Sequence, residues 1–266
     1  MTCNNCETSL TPEQKFCSNC GEIINAKRLQ LTSIIGLFFS NFLSYDNKFA
    51  RTFRELTVKP EIVIDNYVHG FRKKYVNVIS YLGLAITLIG LQFFILRRFF
   101  PELLSADIIS PTNPIKVNNE TFDYNSIVDS FYEYQGLLTI VFIPLYAIAS
   151  KLLFFDSKKY NLAEHFVINI YANAHFFIFW FFVTLLTLPL NINYNILSQL
   201  ALLPMIVYMT HVFKRLYSIK TVDAFARVVL YYIMVFVVMI VILIIFGIVY
   251  GIYLGATGQI TPIDMH

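Results

Sequence analysis

Long apolar runs recur along the chain from residue 76 onward, and short polar stretches separate them. A helix needs about 17–25 mainly apolar residues to cross the hydrocarbon core of a bilayer, at a rise of about 1.5 Å per residue. Five runs meet that length, so the pattern predicts an all-α bundle of five transmembrane helices. The runs are 76–96, 137–155, 166–190, 196–213 and 228–254.

The segment 29–44, which precedes these runs, has a different periodicity. Ile34, Phe38 and Phe42 fall on one side of a helix with 3.6 residues per turn, and Ser33 falls opposite. The segment is too short and too polar on one side to cross a membrane, which predicts an amphipathic helix in the membrane interface. Packing of this helix against the bundle or against a soluble partner is the alternative.

The composition agrees with a membrane protein. Apolar residues make up 57% of the 266 residues and charged residues 14%, whereas soluble domains carry about 25% charged residues. The net charge of +3 gives no sign of a nucleic-acid-binding surface, so we expect no nucleic-acid partner.

All four cysteines lie within the first twenty residues, as the CxxC pairs Cys3/Cys6 and Cys17/Cys20. Each pair turns the backbone so that two thiolates face one ion, and two pairs complete the tetrahedron of a structural zinc ribbon. Gly21 directly follows Cys20 and supplies the backbone freedom that such a turn often needs. Two disulfides are the alternative, and they require an oxidising compartment. Four thiolates leave no open coordination position, so catalytic zinc is not expected.

The distribution of positive charge predicts the orientation in the membrane. If the N-terminus is cytoplasmic, seventeen of the 20 Lys and Arg residues lie on or near the cytoplasmic side, and Arg97, Arg98 and Lys116 lie on the other. Five spans then place the C-terminus outside the cytoplasm. The predicted organisation is a cytoplasmic zinc ribbon (1–26), amphipathic and basic interfacial helices (27–75), the transmembrane bundle (76–254) with an extracytoplasmic loop (97–135), and an extracytoplasmic tail (255–266).

Amide and imidazole side chains recur every four residues from Asn161 to Asn173 in the third run, which places them on one helix face. They could line a cavity for a substrate, a lipid headgroup, a proton or a metal. They could instead join helices by hydrogen bonds, which is the interpretation we favour. A site built from three histidines is disfavoured, because His175 points about 80° away from His165 on the same helix. The candidate polar cluster comprises Lys151, His165, Asn169, Asn173 and His211.

The chain contains none of the short motifs that mark common enzymes, such as GxSxG, HExxH, the P-loop or GxGxxG. An inverted repeat of the kind found in transporters is not visible in the sequence either. The chain is therefore predicted not to be an enzyme.

Several motifs spread over most of the chain carry a resemblance to a known family. They are the two CxxC pairs with Phe16 and Gly21, and the stretches Arg51–Leu56, Lys59–Pro60, Tyr67–Tyr75, Leu152–Phe155, Tyr160–His165 and Lys214–Tyr217. The chain resembles a bacterial family of uncharacterised, multi-pass, zinc-ribbon membrane proteins. Phe71 departs from that pattern, which has a smaller or basic residue there. The resemblance implies a place in the bacterial cytoplasmic (inner) membrane and no assigned reaction.

These observations predict a non-enzymatic scaffold or regulator in the lipid bilayer. Its zinc ribbon would bind a cytoplasmic protein, or its basic residues Arg72, Lys73 and Lys74 would bind anionic lipid. Association of several copies stays open. The rival prediction is a transporter of a small molecule, lipid or ion, and a membrane-embedded enzyme is a weaker one. Open volume around Asn169 and Asn173 would favour these two rivals, whereas a filled bundle there would favour the scaffold.

Overall fold

The computed structural model describes residues 2–3, 5–11, 14–21, 48–104, 116–117, 120–121, 130 and 132–256. It divides the chain into two compact units, Met1–Ala50 and Arg51–His266, which are treated separately below. The predicted amphipathic helix at 29–44, most of the predicted outer loop and the end of the predicted tail lie outside the described residues.

Two short helices precede the first span. Helix α1 covers Lys48–Val58 and α2 covers Pro60–Val68, and Pro60 stands in the first turn of α2, where its missing N–H costs no hydrogen bond. Gly70 ends this pair with a φ of 92°, a left-handed conformation that glycine adopts without strain. The chain then returns to α1, where the Thr52 hydroxyl accepts a hydrogen bond from the Val76 amide at 3.0 Å.

Among the described residues, five helical segments are long and apolar enough to cross a membrane, which indicates a multi-pass membrane protein. The helix bounds differ from those of the apolar runs by a few residues: the last span begins at Thr221, seven residues before its run, whereas the first begins at Val78, two residues inside its run. Four spans correspond to single α-helices: α3 (Val78–Phe99), α4 (Gln135–Leu153), α5 (Leu162–Thr187) and α8 (Thr221–Ala256).

The fourth span consists of two helices, α6 (Tyr194–Leu200) and α7 (Leu202–Tyr217), joined at Ala201. Pro204 is the third residue of α7. A proline in the first turn lacks only an N–H that would have no helical partner anyway, so the new helix begins there without loss. The break therefore places the proline where it is compatible with a helix.

Helix α5 forms the centre of the bundle. It packs against α3, α4, α7 and α2, and α8 packs against α7 and α4. Asn161 begins α5 with a capping box, in which its side chain accepts from the Glu164 amide at 2.9 Å and the Glu164 carboxylate accepts from the Asn161 amide at 2.6 Å. Asn161 thus fixes the start of α5.

Helix α8 is buried only along its first half. Its last buried residue is Val235, and the large apolar side chains described from Ile240 to Ile252 are exposed. Exposed apolar side chains are compatible with lipid around this half of the helix.

The remaining described elements are short. Two 3₁₀ turns follow α3 and α5, and two strands pair antiparallel, with Lys116 opposite Thr121. The 3₁₀ turns cover Pro101–Leu104 and Leu188–Leu190, and the strands are β1 (Lys116–Val117) and β2 (Glu120–Thr121).

Ion pairs connect the helices at the end of the bundle where α5 and α8 begin. Arg227 donates two hydrogen bonds to the Asp156 carboxylate, at 2.8 and 2.7 Å, and a third to the Leu153 carbonyl at 2.8 Å. This guanidinium lowers the pKa of Asp156 to about 2. Arg215 of α7 holds Glu61 of α2 in the same two-bond manner. Bidentate pairs of this kind fix orientation as well as distance.

Candidate functional site: a cysteine cluster and a polar core

The four cysteines of the first unit converge on one point. Their sulfur atoms all lie within 4.8 Å of one another, with Cys3 and Cys20 at 3.6 Å and Cys6 and Cys17 at 3.5 Å. A tetrahedral zinc with Zn–S bonds of about 2.3 Å holds its sulfurs about 3.8 Å apart. None of the four cysteines forms a disulfide, and the cluster could hold a metal ion. The donor set and its spacing fit zinc.

The two CxxC turns have the same backbone geometry. In each, the residue after the second cysteine donates its amide to the carbonyl of the first cysteine at 2.9 Å, from Glu7 to Cys3 and from Gly21 to Cys17. Both of these residues have left-handed backbones, with φ of 59° at Glu7 and 74° at Gly21. The sequence indicated this conformation at Gly21 only, because a glutamate rarely adopts it.

The local hydrogen bonds favour thiolates, the form that binds a metal. The hydroxyl of Thr8 lies 3.3 Å from the Cys6 sulfur and is the main cause that lowers the pKa of Cys6 to about 6. Backbone hydrogen bonds, first from Cys20, lower the pKa of Cys17. Among the described residues, this is the only group of three or more possible ligands that lies close enough to share an ion.

The polar stripe of α5 lies inside the second unit, and His165 and Asn169 have no exposed surface. His165 contacts the Ser150 hydroxyl through Nδ1 at 2.8 Å and the Tyr217 hydroxyl through Nε2 at 3.1 Å. Asn169 donates to Ser150 Oγ at 2.8 Å and accepts from the Tyr231 hydroxyl at 3.0 Å. These bonds join α5 to α4, α7 and α8.

Asn173, one turn further, is less engaged. Its amide nitrogen donates to the carbonyl of Asn169 within the same helix at 2.8 Å, and its Oδ1 is buried without a hydrogen-bond partner among the described residues. Asn169 and Asn173 therefore lie on the same face of α5, but Asn169 bonds to two other helices and Asn173 bonds within its own helix.

His175 belongs to a second hydrogen-bonded group on a different face of α5, as its angular position predicted. Its Nδ1 contacts the Tyr81 hydroxyl of α3 at 2.9 Å, and its Nε2 contacts the Thr57 hydroxyl of α1 at 3.1 Å. The sequence pattern did not indicate Tyr81, Thr57, Ser150 and Tyr231, because their roles come from their positions opposite α5 in the folded bundle.

Lys151 and His211 are placed differently from each other. Lys151 Nζ donates to the Tyr160 carbonyl at 2.6 Å, beside the start of the stripe. His211 lines a groove between α7 and α8 with Lys214 and Phe225, and its Nε2 is buried without a partner among the described residues. No described hydrogen bond connects His211 or Lys151 with His165, Asn169 or Asn173, and Lys151 reaches only the loop carbonyl of Tyr160 just before α5.

The contact between Ser150 and His165 resembles part of a hydrolase site, but the geometry gives it a structural role. Both residues are fully buried, and both nitrogens of the imidazole are already engaged. A nucleophile must be reachable by a substrate and must be oriented with a free base. The pair therefore serves packing between α4 and α5.

The basic triplet lies on the surface between α2 and α3, and Arg72, Lys73 and Lys74 are all exposed. Arg72 lies over the ring of Tyr67 at 5.1 Å and Lys74 over the ring of Tyr75 at 5.0 Å. The hydrogen bond with Tyr75 raises the pKa of Lys74, so Lys74 keeps its positive charge at neutral pH.

Lys74 also lines a groove of about 330 Å³, which we call the basic groove. Arg54 and Lys59 supply two further cations, and the Glu55 carboxylate accepts a hydrogen bond from the Tyr75 hydroxyl at 2.5 Å. The groove is lined by Arg54, Glu55, Val58, Lys59, Ile62 and Lys74.

Residues 46–90 match a family described as "Protein of unknown function (DUF3667)". No curated protein and no solved structure matches the chain. The matched segment includes the basic groove and the basic triplet, and it ends inside α3. The match supports a family of unknown function for this segment, and it does not extend to the cysteine cluster.

Proposed function

We propose that this chain is a non-enzymatic scaffold or regulator of the bacterial cytoplasmic membrane, with its N-terminus in the cytoplasm. In this proposal the cysteine cluster holds structural zinc, and the ribbon and the basic groove bind a cytoplasmic protein or anionic lipid. The observation that carries the proposal is the use of the α5 stripe. His165 and Asn169 are fully buried, and their side chains form hydrogen bonds with Ser150, Tyr217 and Tyr231.

The basic groove supports binding at the membrane surface. Its three cations face one carboxylate that is already held by Tyr75, so the groove carries a surplus of positive charge. Near an anionic bilayer each Lys or Arg contributes about 1 kcal/mol, so Arg54, Lys59 and Lys74 together would contribute about 3 kcal/mol, or roughly 150-fold in affinity.

The experiment measures the reactivity of lysine amines in the full chain. Lys59 and Lys74 are labelled with an amine-reactive reagent in native membranes, in phosphatidylcholine vesicles, and in vesicles that also contain phosphatidylglycerol. Lys158, an exposed lysine in the loop after α4, is the internal control.

Slower labelling of Lys59 and Lys74 in the anionic vesicles would support lipid binding. Slower labelling in native membranes alone would support a protein partner. Equal labelling of the two groove lysines in all three preparations would contradict the proposal.

A transporter is the second candidate, and one cavity favours it. A space of about 200 Å³ lies inside the bundle, bordered by Gln92, Gln135, Tyr194 and Ser198, and Gln135 Oε1 is buried without a partner among the described residues. The rest of the lining is apolar, and Gln92 already donates to the Tyr194 hydroxyl at 2.7 Å, so Gln135 and Ser198 are the polar groups that a transported molecule would meet. Ser198→Phe would fill this space. Loss of a cellular phenotype at unchanged protein abundance would favour transport.

A further inference from the structure

A second groove, of about 650 Å³, runs between α3 and α4 at the other end of α3 from the basic groove. Its mouth carries Arg97, Arg98 and Glu133, and its remaining lining is apolar or glycine. We call it the α3–α4 groove. The 22 residues of α3 separate its mouth from the basic groove by about 33 Å, which is the thickness of a hydrocarbon core.

Two glycines open this groove. An added Cβ at Gly90 would meet no atom within 4 Å, so the space beside this residue is empty. Gly136 allows α4 to approach α3, because an added Cβ there would lie 3.1 Å from Cγ2 of Ile86. Phe94 and Leu137 form exposed walls, with 61% and 59% of their surface accessible. The result is an apolar slot on the lipid-facing side of the bundle.

The length of the slot corresponds to one leaflet. Ile86 at one end and Arg97 at the other are eleven residues apart on α3, which is about 16 Å of helix. Half of a hydrocarbon core of about 30 Å has the same depth. The slot therefore extends from the level of the headgroups to the middle of the bilayer.

The charges at the mouth are complementary to one phosphodiester. Arg97 lies 3.9 Å from Glu133, and both side chains are well exposed, so this pair is weak. Arg98 is exposed and has no ion pair among the described residues. The three groups sum to one positive charge, and a guanidinium binds phosphate oxygens through two parallel hydrogen bonds.

We propose that the α3–α4 groove binds one anionic phospholipid, with its phosphate at Arg97 and Arg98 and one acyl chain along Gly90. A free phosphate ion would use the two arginines but not the apolar slot. The combination of an apolar slot and a positive mouth at the level of the headgroups is what identifies an amphiphile. This site is independent of the proposed function, since it lies at the opposite end of α3.

The test is native mass spectrometry of the full chain in detergent, titrated with dioleoyl phosphatidylglycerol or with dioleoyl phosphatidylcholine. We expect one phosphatidylglycerol retained per chain in preference to phosphatidylcholine. Arg98→Gln should weaken its retention about fivefold, the contribution of one basic residue near the headgroups. Arg98→Lys should recover the part of the retention that depends on charge and lose the part that depends on two parallel hydrogen bonds, so it should fall between Arg98→Gln and the unchanged protein.

Gly90→Leu fills the slot and should weaken retention about fifteenfold, if two methylene groups lose their contact at about fourfold each. Leucine favours a helix over glycine, so the variant should fold. Gly83→Leu is the matched control, because Gly83 is also exposed on α3, has no atom within 4 Å of an added Cβ, and lies outside the groove.

Equal retention of the two lipids, or a Gly90→Leu variant that retains as much phosphatidylglycerol as Gly83→Leu does, would overturn the proposal and leave only unselective contact with bulk lipid. Displacement of the phosphatidylglycerol by inorganic phosphate would also overturn it, because the arginines would then bind an anion without the acyl chain.

Discussion

The two asparagines of the α5 stripe allow a direct test of whether the stripe serves packing, because they differ in their partners. Asn169 bonds to Ser150 of α4 and to Tyr231 of α8, whereas Asn173 donates only to a carbonyl of its own helix. Substitution by leucine keeps a similar volume at either position and removes the amide. The two variants should therefore have different effects on stability.

Interhelical hydrogen bonds in membrane proteins contribute about 0.6 kcal/mol each. Asn169→Leu breaks two of them and should lower the free energy of unfolding by about 1.2 kcal/mol. Asn173→Leu breaks none and removes an unpartnered buried oxygen, so its effect should be close to zero or slightly stabilising.

The assay is reversible unfolding of the purified protein in mixed micelles, with Tyr231→Phe as the second arm of a double-mutant cycle. Tyr231→Phe and Asn169→Leu should be coupled by about 0.6 kcal/mol, since each removes the same bond. Tyr231→Phe and Asn173→Leu should be coupled more weakly, because Asn173 lies near the same hydroxyl but does not accept a hydrogen bond from it. Equal destabilisation by the two asparagine variants, or the absence of coupling between positions 169 and 231, would refute the packing interpretation.

Four further outcomes are expected. Metal analysis of the purified chain should find one zinc bound by Cys3, Cys6, Cys17 and Cys20, Cys17→Ser should release it, and a metal-free protein with two disulfides would contradict this. Glu7→Gly should stabilise the zinc-bound ribbon by up to about 1 kcal/mol, because glycine adopts the left-handed backbone of Glu7 without strain; a lower midpoint in competition with a chelator would disprove it. The Asp156–Arg227 pair should contribute stability above the ordinary carboxyl pKa of 3.8 and lose it as the pH falls towards 2, since the folded pKa is the lower one; Asp156→Asn should remove this part of the acid dependence, and an unchanged profile would argue against it. A reporter fused after His266 should be exported, and cytoplasmic activity would mean that one span has been assigned wrongly.

The apolar runs predicted the five spans because a helix that crosses the hydrocarbon core must be mainly apolar along its whole length, so every residue of a span contributes to the signal. The fourth span shows the limit of this rule. Apolar residues continue through Ala201, so the average hydropathy conceals the break, although Pro204 marks the start of the second helix. The break depends on the backbone hydrogen bonds around Ala201. A run of apolar side chains carries no information about these bonds.

The four-residue spacing of the polar core was predictable from the sequence, but the hydrogen-bond partners of its residues were not. A spacing of four residues placed His165, Asn169 and Asn173 on one face, and all three are buried. The spacing could not indicate that the Tyr231 hydroxyl would donate to Asn169. Nor could it indicate that Asn173 Oδ1 would be buried without a partner among the described residues. Asn161 followed the same spacing and became a helix cap, since it is the last residue before the helical backbone begins.

The exposed half of α8 has a consequence for how this sequence can change. The helix has 36 residues, about 54 Å, against a hydrocarbon core of about 30 Å. A helix longer than the core must tilt or extend beyond it, and past Val235 no described side chain of α8 is buried against a neighbour that could set the angle. Exchanges among Ile, Leu, Val and Phe in 240–249 would thus leave the bundle unaffected. In a bilayer the side chains of this stretch would contact lipid, whereas those of α5 contact neighbouring helices of the protein.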